Sequence, residues 1–196
     1  MVVSRMLSSM ASRKFRLSRR LRRDYGAAVH AAREGAMSYS IPSGTRIGHV
    51  HLKVADLDRA AAFYCDVLGF EVQARYGDQA LFFSAGGYHH HIGLNTWESR
   101  GGTPPPPGHT GLYHTAILYP TRRDLAQALR RLQAAGIALT GASDHGVSEA
   151  LYLDDPDGNG VELYRDRPPE EWPRDAEGNL AMFTRRLDLA GLLAEN

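Results

Sequence analysis

The sequence predicts an α+β fold in which two tandem β-α-β-β-β modules pair their sheets into one partly closed barrel. Three observations predict it. The run Ile47-Gly48-His49-Val50-His51-Leu52-Lys53-Val54 is echoed 65 residues later by Gly111-Leu112-Tyr113-His114-Thr115-Ala116-Ile117-Leu118, each a β-like run with a histidine near its start. Both runs lead into an amphipathic helical pattern closed by a glycine, Gly69 lying 20 residues after His49 and Gly136 lying 22 residues after His114. Three further β-like runs follow each helix, and a module of that size cannot bury its own sheet face.

In the first module Val50, Leu52 and Val54 alternate with His49, His51 and Lys53, giving a strand with one apolar face. Asp56 has the chemistry of an N-cap, and Ala60, Phe63, Tyr64, Val67 and Leu68 fall on one helical stripe. Strands are expected over 70–75, 80–84 and 89–97. Prolines 104–107 form a stiff connector that cannot donate to a sheet ladder, and its place between matching units favours a spacer over an SH3-type ligand. In the second module Thr121 and Asp124 resemble a capping box, and Leu125, Ala128, Leu129 and Leu132 form the helix stripe. Strands are expected over 137–140, 150–154 and 160–165, with Asp155-Pro156-Asp157-Gly158 as a type I turn. The expected organisation is a basic, disordered extension over 1–43 and a domain over 44–168. Within it the modules run over about 46–98 and 110–167 with a linker at 101–109, and 169–196 form a surface tail with a short helix near 187–193.

Composition narrows the function. There is no apolar run of about 18 residues, so no membrane-spanning helix is expected. Cys65 is the only cysteine, which excludes an intrachain disulfide and a thiolate zinc cluster and fits a reducing, cytoplasmic setting. The net charge of +1 hides an asymmetry: residues 1–36 hold nine Lys or Arg against two acids, whereas the remainder carries 14 basic and 20 acidic residues. The basic stretch reads either as an extension upstream of a domain starting at Met37 or as an organelle transit peptide. Nucleic-acid binding has nothing else in its favour, because the body is acidic and lacks a pattern of stacking aromatics.

In the last strand of the second module Val161 and Leu163 face the helices, so Glu162 faces the concave side, as His49 and His114 do. Two imidazoles and one carboxylate with open positions match the facial set of a non-haem Fe(II) site. A lone His or Glu on a strand is more often solvated, but symmetry-related positions make three independent accidents less plausible. Matching Val161-Glu162-Leu163 to Ile92-Gly93-Leu94 puts Gly93 opposite Glu162, so no fourth ligand is offered there.

These residues resemble the vicinal oxygen chelate superfamily (glyoxalase, bleomycin resistance, dioxygenase), and within it the single-domain type I extradiol ring-cleaving dioxygenases. The resemblance runs from Gly48 to about Tyr164 and rests on His49 to Val54, Phe63-Tyr64, Leu68-Gly69-Phe70 and Asp155 to Tyr164. It implies metal ligands His49, His114 and Glu162, a catalytic His90 (with His91 as the neighbour that could take its place), a catalytic Tyr152 ten residues before Glu162, and a supporting His145. His145 stands about two residues nearer Tyr152 than the family pattern has it. The implied cofactor is Fe(II), with Mn(II) as the alternative. The implied partners are a small aromatic diol and O2, with chains assembling as a homo-oligomer. His90 would deliver a proton, and Tyr152 would donate a hydrogen bond to a substrate oxygen. A thiol transferase, a glyoxalase-like isomerase and a metal-free drug-binding protein share the scaffold, and the vacancy at Gly93 disfavours the isomerase.

Overall fold

The computed structural model describes residues 39–195, so the expectation for the basic extension falls largely outside the described residues. From Ile47 onward the chain forms one compact unit. Its first half contains β1 (Val50–Lys53), α1 (Leu57–Ala61), β2 (Glu71–Tyr76), β3 (Ala80–Ser84) and β4 (Ile92–Asn95), in the sheet order β1-β4-β3-β2. The second half contains β5 (Thr115–Leu118), α2 (Arg122–Ala134), β6 (Gly141–Asp144), β7 (Ser148–Asp154) and β8 (Gly160–Asp166), then β9 (Arg185–Arg186) and α3 (Leu189–Leu193). Its sheet order is β5-β8-β7-β6-β9. The modules are therefore true copies: β1 pairs parallel with β4, as β5 does with β8.

Local chemistry sets the helix ends. Asp56 caps α1 by accepting from the Asp58 and Arg59 amides, and Thr121 caps α2 by accepting from Asp124 N–H. After Ala61 the first helix widens into a π-helical segment, Ala62–Val67, with Leu68 N–H bonded to Phe63 O. Gly69 and Gly136 close the two helices at φ 88° and 69°, where a side chain would be strained. The apolar stripes of both helices, the inner faces of β3, β4, β7 and β8, and Leu187 and Leu192 make one core. The turn at residues 155–158 closes with a Gly158 N–H to Asp155 O bond. Its carboxylates tie the two modules together: Tyr64 O–H donates to buried Asp155 at 3.0 Å, while Asp157 accepts from Ala55 N–H and Arg59. Burial, then the Asp155 charge, raises the Tyr64 pKa and keeps the phenol protonated.

Three expectations need correction. The strand expected at 137–140 lies at Gly141–Asp144, because Ile137 N–H is spent closing α2 on Leu132 O and the ladder begins only at Thr140 N–H to Tyr152 O. The strand expected at 89–97 is shortened to Ile92–Asn95: Gly86 and Gly87, at positive φ, open a loop that carries the three histidines. The tail does not merely lie on the surface, since β9 adds a fifth strand beside β6 and Leu187 and Leu192 enter the core. The partly closed arrangement takes the form of two sheets. No ladder joins the edge strands β1 and β5, and a cavity of about 790 Å³ lined by His49, Val50, Leu112, His114 and Ile117 lies between them.

Candidate active site

The register fixes which side chains share a face. His51 pairs with Gly93 and Ala116 with Glu162, so Gly93 and Glu162 are equivalent, as are His51 and Ala116. In the second module small Ala116 leaves room beside Glu162. His114, two residues before Ala116 and on the same face, places Nε2 at 2.8 Å from Glu162 Oε2. Among the described residues His114 Nδ1 is buried without a partner. The ring's polar tie is therefore to Glu162, and no structural hydrogen bond at Nδ1 asks for a histidine at this position.

Tyr152, paired with Glu162 across β7 and β8, brings its hydroxyl to 3.1 Å from Glu162 Oε1. His145 Nε2 lies 2.8 Å from the same hydroxyl. His145, Tyr152, Glu162 and His114 thus form one continuous hydrogen-bonded line. Burial, reinforced by the Glu162 carboxylate, pushes the Tyr152 phenol up to about 12, so it stays protonated at neutral pH. A second cavity, of about 560 Å³, opens over His114, Ser143, His145 and Tyr152. His114 lines both cavities and lies where they meet.

The first module treats the equivalent positions differently. His49 precedes the first ladder residue of β1, is exposed, and lies with its ring centroid 4.4 Å from that of His90. His51 occupies the space that a side chain at Gly93 would need, its Cγ lying 3.1 Å from a Cβ built there. Trp97 and Phe82 pack around the same ring. His89 and His90 approach at 2.8 Å through their Nδ1 atoms, and His91 Nδ1 accepts from Ala85 N–H. Burial, then the neighbouring imidazoles beginning with His49, lowers the pKa of His90 and favours its neutral form.

Of the residues singled out in the sequence, the structure brings together His114, Glu162, Tyr152 and His145 in one group and His49 with His90 in another. His49 lines the larger cavity with His114 but does not join the His114–Glu162 pair. Among the described residues no three His, Cys, Asp or Glu side chains gather as a metal cage. The donor chemistry at His114 and Glu162, an imidazole nitrogen and a carboxylate oxygen converging with space beside them, fits two ligands of a divalent ion. His49, expected from the sequence as the third donor, lines the cavity between β1 and β5 apart from that pair. Sequence reasoning missed Phe183 and Thr184, which hold His145 Nδ1 from the tail at 3.2 Å each. Their stretch carries neither alternation nor a motif, and only the pairing of β9 with β6 brings them here.

Two paired modules, with a histidine just before each first strand and a carboxylate on one last strand, define the class of α+β domain. Residues 46–163 match the Glyoxalase/Bleomycin resistance protein/Dioxygenase superfamily, and the chain belongs to that family. It is similar to the catechol-2,3-dioxygenase of Bacillus subtilis (strain 168), at 46% identity over 157 residues, which are 80% of this chain and 54% of that protein. It is also similar to biphenyl-2,3-diol 1,2-dioxygenase 3 of Rhodococcus globerulus, at 37% identity over 64% of this chain and 67% of that one. The chain therefore spans about half to two thirds of the length of these curated relatives. Among solved structures, a glyoxylase/bleomycin resistance protein/dioxygenase domain from Frankia sp. EAN1pec aligns with TM-score 0.51 and 28% identity, covering 66% of this chain and all of that one.

Proposed function

We propose that this chain is a metal-dependent extradiol dioxygenase that opens the ring of a catechol-type diol with O2. The observation that carries the reading is the line His145–Tyr152–Glu162–His114, a ligand pair continued by a phenol and an imidazole facing one cavity. The names of the curated relatives support it.

We assign His114 and Glu162 as two ligands and His49 as the third, with Fe(II) as the ion and Mn(II) as its alternative. The bound metal would supply the redox chemistry and the electrophilic site for the diol. The chain's own groups do the rest. Glu162 meets His114 at Nε2, the ring nitrogen that would turn to the ion. Tyr152 meets a substrate oxygen with its hydroxyl, and His145 braces that phenol. His90, neutral and with its ring tilted against that of His49, is the imidazole available to move a proton on the side of the first module. Among the described residues neither cavity is lined by Lys or Arg, which supports an uncharged, apolar ring as the substrate. Ile47, Leu112 and Tyr113, exposed beside the edge strands, are where we place contacts between identical chains.

The test is direct. Protein loaded anaerobically with Fe(II) should turn catechol or 2,3-dihydroxybiphenyl yellow when air is admitted. Protein with bound iron that stays colourless across a broad diol panel would reject the assignment. A second reading, a metal-free binder of a planar small molecule, is favoured by the separation of His49 from His114 and Glu162. Elemental analysis after exposure to iron and manganese separates the two.

A further inference from the structure

Residues 89–91 are consecutive histidines on the loop that Gly86 and Gly87 open between β3 and β4. The loop is tied down at its far end: His91 N–H donates to Phe83 O at 2.7 Å, and His91 O accepts from Val50 N–H at 3.0 Å. The rings are then placed differently. His91 Nδ1 is spent on Ala85 N–H, and its ring stacks on Tyr88. His90, half-buried, is held between the His49 ring and the edge of Phe82, with centroids 4.4 and 5.2 Å away. The exposed His89 ring lies tilted against Tyr88, with centroids 4.0 Å apart. That packing brings Nδ1 of His89 to 2.8 Å from Nδ1 of His90.

Two imidazole nitrogens this close restrict the ion they can share. With metal–nitrogen bonds of about 2.0–2.1 Å, a separation of 2.8 Å subtends an angle of about 85–90° at the metal. That is the angle between neighbouring ligands of a square-planar or octahedral ion, whereas a tetrahedral ion needs nitrogens about 3.3 Å apart. Imidazole suits Ni(II) and Cu(II), and both stand above Fe(II) in divalent affinity. In the empty pair one proton lies between the two nitrogens; moved to the far nitrogen of its own ring, it leaves both lone pairs to the ion.

We propose that His89 and His90 form a second, inhibitory site for a divalent ion of square-planar or octahedral preference, Ni(II) or Cu(II), apart from the His114–Glu162 pair. The donors are Nδ1 of the two rings, and water completes the ion's shell. The site itself stands on the geometry of the loop, and only its inhibitory effect rests on the ring-cleavage reading. An ion on His90 occupies the imidazole to which that reading gives proton movement, and it sets a positive charge beside His49. Because Fe(II) lies lower in the affinity order, loading the protein with iron leaves this pair open.

The experiment titrates Ni(II), and separately Zn(II), into metal-free full chain carrying Glu162→Gln, which weakens the other site, and reads binding by calorimetry. Ni(II) is the probe because, unlike Cu(II), it does not oxidise diols. The expected result is one Ni(II) equivalent, bound more tightly than Zn(II), with affinity falling about a hundredfold when His89→Ala reduces the chelate to one imidazole. An affinity unchanged by His89→Ala, or Zn(II) bound more tightly than Ni(II), would overturn the proposal. In iron-loaded protein with Glu162 intact, Ni(II) should suppress diol cleavage while the iron content stays constant. His89→Ala should keep the basal rate and resist that suppression about tenfold or more. Equal suppression of both proteins would remove the inhibitory role. If no diol is cleaved yet Ni(II) binding depends on His89, the functional reading fails and the metal site stands.

Discussion

The two modules are the same device filled in opposite ways. At the paired positions of the first and last strands, the first module places a large ring and nothing, His51 against Gly93, while the second places almost nothing and an acid, Ala116 against Glu162. Both histidines that precede the first strands are kept. In the second module His114 reaches the acid at 2.8 Å; in the first, position 93 offers His49 no acid and its ring lies tilted against His90. The duplication thus preserves the frame while one pair of side chains decides which half joins a carboxylate to its histidine. Function follows from exchange of volume across a parallel strand pair as much as from adding a ligand.

That contrast can be broken from the acidic side first. Glu162→Gln keeps shape and removes charge, and it should lower metal affinity and turnover by about a hundredfold or more, measured by metal content and by diol cleavage. His51→Ala in the first module should leave metal content unchanged. Building the second module's pattern into the first, with His51→Ala and Gly93→Glu together, should create a weaker second metal equivalent beside His49, readable by elemental analysis. No additional metal would show that the His114 pair needs more than its register.

The seam between modules offers a smaller effect. Tyr64→Phe leaves buried Asp155 without one of its donors and should cost about 1–3 kcal/mol in denaturant unfolding. Turnover per folded molecule should not change. The smallest expected effect is on the acid limb of stability. Burial alone would raise the Asp144 pKa, but Gly146 N–H and Arg167 outweigh it and hold the carboxyl below the usual range. A lowered folded pKa contributes stability that is present above the unfolded value of about 3.9 and lost as pH falls through the folded value. Asp144→Asn should flatten this part of the acid limb, seen as a smaller loss of melting temperature on going from neutral pH to below the usual carboxylate range.

The parts legible in the sequence are those set by near neighbours. Asp56 and Thr121 cap, Gly69 and Gly136 terminate, and the 155–158 turn closes, because each depends on a few adjacent residues. Strand alternation also put Glu162 and His114 on one face, and the register agrees. What local pattern could not convey was distance across the gap between β1 and β5, which separates His49 from His114 and Glu162. Nor could it show that His51 fills the place left by Gly93, since that is volume shared between strands far apart in sequence. The strand at Gly141–Asp144 was hidden by its small, weakly β-forming residues. The tail's contact with His145 was hidden because Phe183 meets it through a backbone carbonyl, which no residue type announces.

The most direct measurement is metal content per chain after anaerobic reconstitution with Fe(II), for the wild type beside Glu162→Gln and His49→Ala. The account predicts about one iron per wild-type chain and strong loss in both variants, because His49 must cross the cavity to complete the set begun by His114 and Glu162. Equal iron in all three proteins, or none in the wild type, would contradict it.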